Sequence, residues 1–283
     1  MPICIECRHY IPALYTTYSK ADDQTLGKGV RLTQCPRCRR FADKYVEHDL
    51  VVLFIDLVLI KPPVYRHLLF NTLGREDGRF DPAVIRMGIL LLLFDVYLTW
   101  ARIEKATLSS PPRTTSPGHT NLVTSRPPLL QYLFFLALCA LETAAFHLPI
   151  RAVLSLPRLP RPIRALVPAY PHPALVSTAL LVSSFTKLFP LLLLVWRYDM
   201  PSSASAVAWA VYVNNTAALE ILLDCGYLRA AALASLGVVC RAAVGWSVLR
   251  AVGVSGGVAT AGVVETQDLV AFWKLLTGAV RRT

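Results

Sequence analysis

The chain has 283 residues, 54% apolar and 17% charged, with a formal net charge of +11. A soluble domain carries about 25% charged residues, and here the apolar residues come in blocks near the roughly 20 that cross a bilayer. This disfavours a soluble two-domain protein. It also disfavours a nucleic-acid partner, because the basic residues are scattered along short loops and form no basic stripe with interleaved aromatics.

Residues 1–48 are polar, and the first 45 lack the apolar stretch of a cleavable signal. Insertion is therefore expected to rely on an internal span. Cys4 and Cys7 form one C-x2-C pair and, after a gap of 27 residues, Cys35 and Cys38 form another. A two-residue spacing turns both sulfurs of a pair onto one ion, and two pairs complete the tetrahedron of soft ligands that Zn2+ takes. The gap exceeds the usual 15–20 residues or so. A charged loop with two glycines, KADDQTLGKG over 20–29, is expected to bulge between the pairs. Disulfides are the alternative, and a cytosolic placement argues against them. A closed four-thiolate site leaves no position for a substrate. The expected Zn2+ is thus structural and stands in for the core that so small a head lacks. Cys139, Cys225 and Cys240 fall in apolar segments and read as small buried side chains.

Residues 49–60, DLVVLFIDLVLI, are apolar apart from Asp49 and Asp56, which share one helical stripe. Pro62 and Pro63 follow. As a helix the run spans about 18 Å, too short for a hydrocarbon core of about 30 Å. It reads as a helix lying in the membrane interface or dipping into it, with a core helix of the head as the alternative.

Spans are predicted at about 82–101, 129–148 and 174–196, with weaker candidates at about 204–223 and 228–249, whose Ala, Gly and Ser suit close helix packing. Residues 102–128 read as a loop. Residues 149–173, with seven prolines and four arginines, read as a stiff basic connector. Residues 250–283 form a tail. The fold expected is a mainly α-helical multi-span membrane protein with a small N-terminal Cys4 zinc-ribbon-like domain. Its units are the head (1–48), the interfacial helix with the segment after it (49–71), the transmembrane region (82–249) and the tail. Lys61, Arg66, Arg75, Arg79 and Arg86 precede the first span, and Arg151, Arg158, Arg161 and Arg164 follow the second. By the positive-inside rule both sets are cytosolic, which places the head in the cytosol.

The stretch DKYVEHDLVVLFIDLVLIKPPVYRHLLFN, residues 43–71, resembles the homology domain of the Arv family. The family's pattern is matched by Cys4 and Cys7, then Leu14-Tyr15 with Tyr18-Ser19, then Cys35 and Cys38. It continues with Asp43-Lys44-Tyr45-Val46-Glu47 and with Tyr65-Arg66-His67-Leu68-Leu69-Phe70-Asn71. The match covers about residues 3–71. Arg8 departs from the Gly or Asn expected after the first pair, and His48 from an expected Tyr. The resemblance implies an endoplasmic-reticulum membrane protein, with the Golgi as a second location. It implies sterol homeostasis and movement of sterol out of the endoplasmic reticulum, with effects on sphingolipid metabolism. It also implies a part in glycosylphosphatidylinositol anchor synthesis. The partners implied are membrane lipids (sterol, and an anchor precursor) and an endoplasmic-reticulum glycosyltransferase complex, which a non-catalytic adaptor would support.

Asp43, Lys44, Tyr45, Lys61, Tyr65, Arg66, His67 and Asn71 flank the short helix and are candidate headgroup contacts. Tyr, Lys and Arg anchor at headgroup depth, and Arg66 suits a phosphate. The alternative is that these residues only set the head's depth and angle. Asp56, costly against acyl chains, has three possible partners: a sterol hydroxyl, a lysine (Lys44 or Lys61), or water. Asp95, Glu142, Lys187, Glu220 and Arg241 lie within spans, and pairing Asp95 or Glu142 with Lys187 would relieve their cost. The Asn214 sequon falls in a span and is discounted for glycosylation. No G-x-S-x-G, P-loop or H-E-x-x-H is present, the histidines show no metal spacing, and no catalytic residue is assigned.

Overall fold

The structure is a computed structural model, and it describes residues 2–18, 29–74, 80–109, 127–155, 170, 172–189 and 200–251. The 20–28 loop, most of the 156–173 connector and the tail from 252 lie outside the described residues.

Two knuckles build the head in the same way. In the first, the Cys4 amide bonds to the His9 carbonyl at 2.8 Å and the Arg8 amide to the Cys4 carbonyl at 3.0 Å. In the second, Cys35 bonds to Arg40 at 2.8 Å and Arg39 to Cys35 at 2.9 Å. Single bridges, Ile3 to Tyr10 and Gln34 to Phe41, close each turn. The tight turn demands a left-handed residue at its end, and Arg8 and Arg39 both sit at φ 59°. A two-stranded antiparallel hairpin lies between the knuckles. Its strands are β1 (Tyr15–Tyr18) and β2 (Gly29–Leu32), with Tyr15 opposite Leu32. Among the described residues the head's own core is small: Cys4, Ile11, Cys35 and Ala42, with Cys7, Leu14 and Cys38 against them.

Helix α1 (Leu50–Val58) follows, then α2 (Pro62–Arg66) and a π-helical turn, His67–Thr72. A left-handed Ile60 (φ 55°) ends α1, the Lys61 amide closing on the Asp56 carbonyl at 3.1 Å, and the two prolines start α2, since a proline at the first helical positions loses no hydrogen bond. The sole polar side chain of α1, Asp56, turns inward beside Leu57. Its outer face carries Leu50 (82% exposed), Val51 (67%), Phe54 (49%), Ile55 (51%) and Leu59 (61%). That polarity is inverted relative to a helix that meets water.

Among the described residues five further helices follow: α3 (Pro82–Ser109), α4 (Pro128–Ser155), α5 (Pro173–Ser183, continued as a 3-10 turn to Leu188), α6 (Met200–Leu223) and α7 (Tyr227–Ala251). Three of them, α3 over Pro82–Trp100, α4 and α7, are long and apolar enough to cross a membrane. The apolar stretches Pro173–Leu188 and Val207–Leu223 are shorter. Among the described residues the expected third span is helical to Phe189, and 190–199 lie outside them.

Two boundaries differ from the sequence reading. The expected loop from 102 is helical through Ser109, because the run from Arg102 is made of helix formers; 110–126 lie outside the described residues. The first residues of the expected connector at 149 are also helical, since α4 runs through Pro149 to Ser155. Proline in a helix interior costs about 3 kcal/mol. Here the two apolar side chains beyond it, Ile150 and Leu154, are almost wholly buried against Leu180, Leu219, Leu233 and their neighbours, which offsets that cost.

Helices α4 and α7 run antiparallel at close range. A Cβ at Gly237 would lie 2.8 Å from Phe146 and Ile150 carbons, and one at Gly245 would lie 2.6 Å from Glu142. Small residues at such crossings let the backbones approach. The intramembrane charges pair. Lys187 Nζ is 2.9 Å from Asp95, as one of the expected pairings has it, while Glu142 takes Arg241 instead, at 3.1 Å. Asn214, 5% exposed, is buried within α6.

Candidate metal centre and its seat on the bundle

The four cysteine sulfurs converge, every pair within 4.8 Å. Cys4 and Cys38 are 3.7 Å apart, and Cys7 and Cys35 are 3.5 Å apart. A tetrahedral ion with metal–sulfur bonds of about 2.3 Å sets its sulfurs about 3.8 Å from one another. A disulfide needs about 2.05 Å, and all seven cysteines are free. The cluster therefore fits a metal ion in size and in ligand type. Burial pushes the Cys4 thiol up to about 12, and Cys7 is raised for the same first reason. At Cys35 burial acts the same way, but the backbone amides of Cys38 and Arg37 and the neighbouring thiols outweigh it, bringing it down to about 7. Metal binding displaces the protons that the thiols hold.

The candidate headgroup residues are drawn together beneath this cluster. Asp43, fully buried, is the hub. Its Oδ2 lies 2.6 Å from His67 Nδ1 and accepts the Asn71 amide at 2.7 Å, and its Oδ1 accepts the Tyr45 amide at 3.0 Å. Asn71 reaches on to the head, donating to the Ile3 carbonyl at 3.1 Å and accepting from the Ile3 amide at 2.9 Å. Arg66 Nη1 donates to the carbonyls of Ile5 and Glu6, each at 2.8 Å. Burial, and then the nearby Arg8, hold the Arg66 pKa below its usual range. Tyr65 is buried in the core shared by head and bundle.

Asp56 meets a lysine and a tyrosine. Lys61 Nζ is 2.6 Å from Oδ1, and the Tyr45 hydroxyl donates to Oδ2 at 2.8 Å. These two hydrogen bonds, Lys61 first, hold its carboxyl below the usual carboxylate range against the effect of burial. Lys44 stays exposed, its ammonium 5.3 Å from the Tyr45 ring centroid.

The head does not hang free. Ile5 packs into a core with Tyr45, Leu57, Val64 and Tyr65, and with Val182, Phe185, Ala218 and Ile221 of the bundle. Arg8 Nη2 donates to the Ile221 carbonyl at 2.7 Å, and Nη1 lies 3.1 Å from Asp224. This contact is absent from the sequence reading. Its one signal there is Arg8 itself, standing where glycine would turn the chain more cheaply.

The model of the Arv1-like family matches residues 3–219. The chain belongs to that family. The match runs from the first knuckle to near the end of α6, well past the head and α1 that carry the motifs. The chain is 36% identical to "Protein arv1" of Schizosaccharomyces pombe, over 77% of this chain and 74% of that one. It is 27% identical to "Protein ARV1" of Saccharomyces cerevisiae (80% and 83%) and 28% identical to "Protein ARV1" of Homo sapiens (78% and 72%). No solved structure matches the chain. Family membership and three apolar helices fit a membrane protein.

Proposed function

We propose that this protein handles sterol and related lipids in the endoplasmic-reticulum membrane. In this reading it mediates sterol homeostasis and sterol transport out of that membrane, and thereby affects sphingolipid metabolism and glycosylphosphatidylinositol anchor synthesis. It is a multi-pass protein with a cytosolic head held by a structural Zn2+, and it is not an enzyme. The observation that carries the reading is the outer face of α1, a row of exposed Leu, Val, Phe and Ile side chains. An apolar face of that kind marks a lipid or partner surface. Phe54 of α1 lies 5.9 Å, ring to ring, from Phe185. Phe185 precedes by two residues the lysine that pairs with Asp95 of a spanning helix. Both features support α1 meeting acyl chains. The test is lipid mass spectrometry on the chain purified in mild detergent, beside a Leu50→Ser/Phe54→Ser/Ile55→Ser form that retains its zinc. Near-stoichiometric sterol in the first and none in the second is expected. Equal retention in both would sink the reading.

A second reading is a non-catalytic adaptor for an endoplasmic-reticulum glycosyltransferase complex. It is favoured by Asp56, which is spent on Lys61 and Tyr45, and by Arg66, whose Nη1 is spent on the Ile5 and Glu6 carbonyls. No retained lipid, together with a co-purifying glycosyltransferase of defined stoichiometry, is the outcome that selects it.

A further inference from the structure

The two knuckles are near copies, yet their left-handed arginines have different fates. Arg39 is exposed and has no side-chain partner among the described residues. The turn therefore does not itself require a placed guanidinium, and glycine adopts the conformation at no steric cost. Arg8 has the same φ and the same backbone bond to its cysteine, but its side chain leaves the head altogether. It meets the last turn of α6, where helix carbonyls lack partners of their own, and a cation there is favoured by the helix dipole. The Ile221 carbonyl accepts at 2.7 Å, and Asp224, itself at φ 53° in the turn to α7, lies 3.1 Å away. The Asp224 side chain is 72% exposed, so the ion pair alone is a weak tie. The bond to the carbonyl and the packing of Ile5 on Ala218 and Ile221 make it a seat.

We propose that Arg8 is the positioning residue that couples the metal centre to the membrane bundle. A metal ion on the four thiolates fixes the first knuckle, and the left-handed turn of that knuckle aims Arg8. Arg8 then caps α6 and steadies the Asp224–Gly226 turn. Loss of the metal frees that turn, so the state of the head is read in the bundle. The coupling is independent of which lipid or partner the protein serves.

Hydrogen–deuterium exchange of the 219–226 segment in the full chain in detergent tests this, with zinc content measured on each sample. Chelation is expected to raise exchange there about tenfold in the wild type, the size of one lost cap and its packing. Arg8→Gly should show that rise with zinc still bound, and Arg39→Gly should match the wild type. If Arg8→Gly sheds its metal, Arg8→Asn decides. Asn keeps the left-handed turn and has no guanidinium to reach α6, so it should raise exchange with zinc retained. Wild-type exchange that ignores chelation overturns the proposal. So does a zinc-bound Arg8→Gly, or in its place a zinc-bound Arg8→Asn, that exchanges like the wild type.

Discussion

The Asp43 carboxylate lies 2.6 Å from His67 Nδ1, with no part of Asp43 exposed. One side chain comes from the loop after the second knuckle and the other from the turn after α2. Their contact, with Asn71 bound to the same oxygen, ties the metal head to the segment that follows α1.

Removing one member of this hub leaves several buried groups unpaired. Asp43→Ala strips the acceptor from His67, Asn71 and the Tyr45 amide together. Each buried donor left without an acceptor costs on the order of 1–3 kcal/mol. Thermal unfolding in detergent should show a large loss for Asp43→Ala. Asp43→Asn, which still accepts two of the three bonds, should lose clearly less.

Asp56 gives a pH dependence with a definite sign. Its folded-state pKa is lowered, chiefly by the Lys61 and Tyr45 hydrogen bonds. Its contribution to stability is therefore fully present above the unfolded carboxyl value of about 3.9 and is lost as pH falls below that value through the lowered folded pKa. Stability of the wild type relative to Asp56→Asn should be pH-independent from 7 to about 5 and shrink toward pH 3. Because both forms carry the same thiolate cluster, the difference cancels acid loss of the metal. A gap that grows on acidification contradicts the assignment.

The sulfur cluster predicts one metal per chain. Replacing Cys35 or Cys4 with Ser should abolish stoichiometric zinc by elemental analysis and unfold the head, because metal binding in so small a unit is folding energy. Replacing Cys139, a buried residue on α4 whose sulfur lies 3.8 Å from the Thr99 hydroxyl, should leave the zinc content at one.

Lys187 and Asp95 predict rescue. Lys187→Met leaves Asp95 with Arg241, 3.9 Å away. An unpaired charge in a span costs about 2.5–3.5 kcal/mol on insertion scales. Each of Lys187→Met and Asp95→Leu alone should lower stability in detergent. The double variant should recover much of the loss, as a double-mutant cycle reads directly.

Much of this was legible in the sequence because its signals are local. The C-x2-C spacings placed four sulfurs on one point. The apolar blocks marked five of the helices, and Asp56 inside DLVVLFIDLVLI signalled a buried carboxylate in need of a donor. What was not legible depends on contacts distant in the chain. Pro149 reads locally as a helix end, and only the burial of Ile150 and Leu154 carries α4 past it. Arg66 reads as a phosphate ligand, and only the fold brings the carbonyls of Ile5 and Glu6 to its guanidinium. The same holds for Arg8 and Ile221, since no periodicity relates a knuckle to the end of α6.

Contact between α1 and lipid is tested first by photo-crosslinking with a photoactivatable sterol in membranes, with the adducts mapped by peptide mass spectrometry. Adducts concentrated on residues 50–59, and reduced by the Leu50→Ser/Phe54→Ser/Ile55→Ser change, are expected. Adducts absent from that segment, with the protein folded and zinc-loaded, would contradict it.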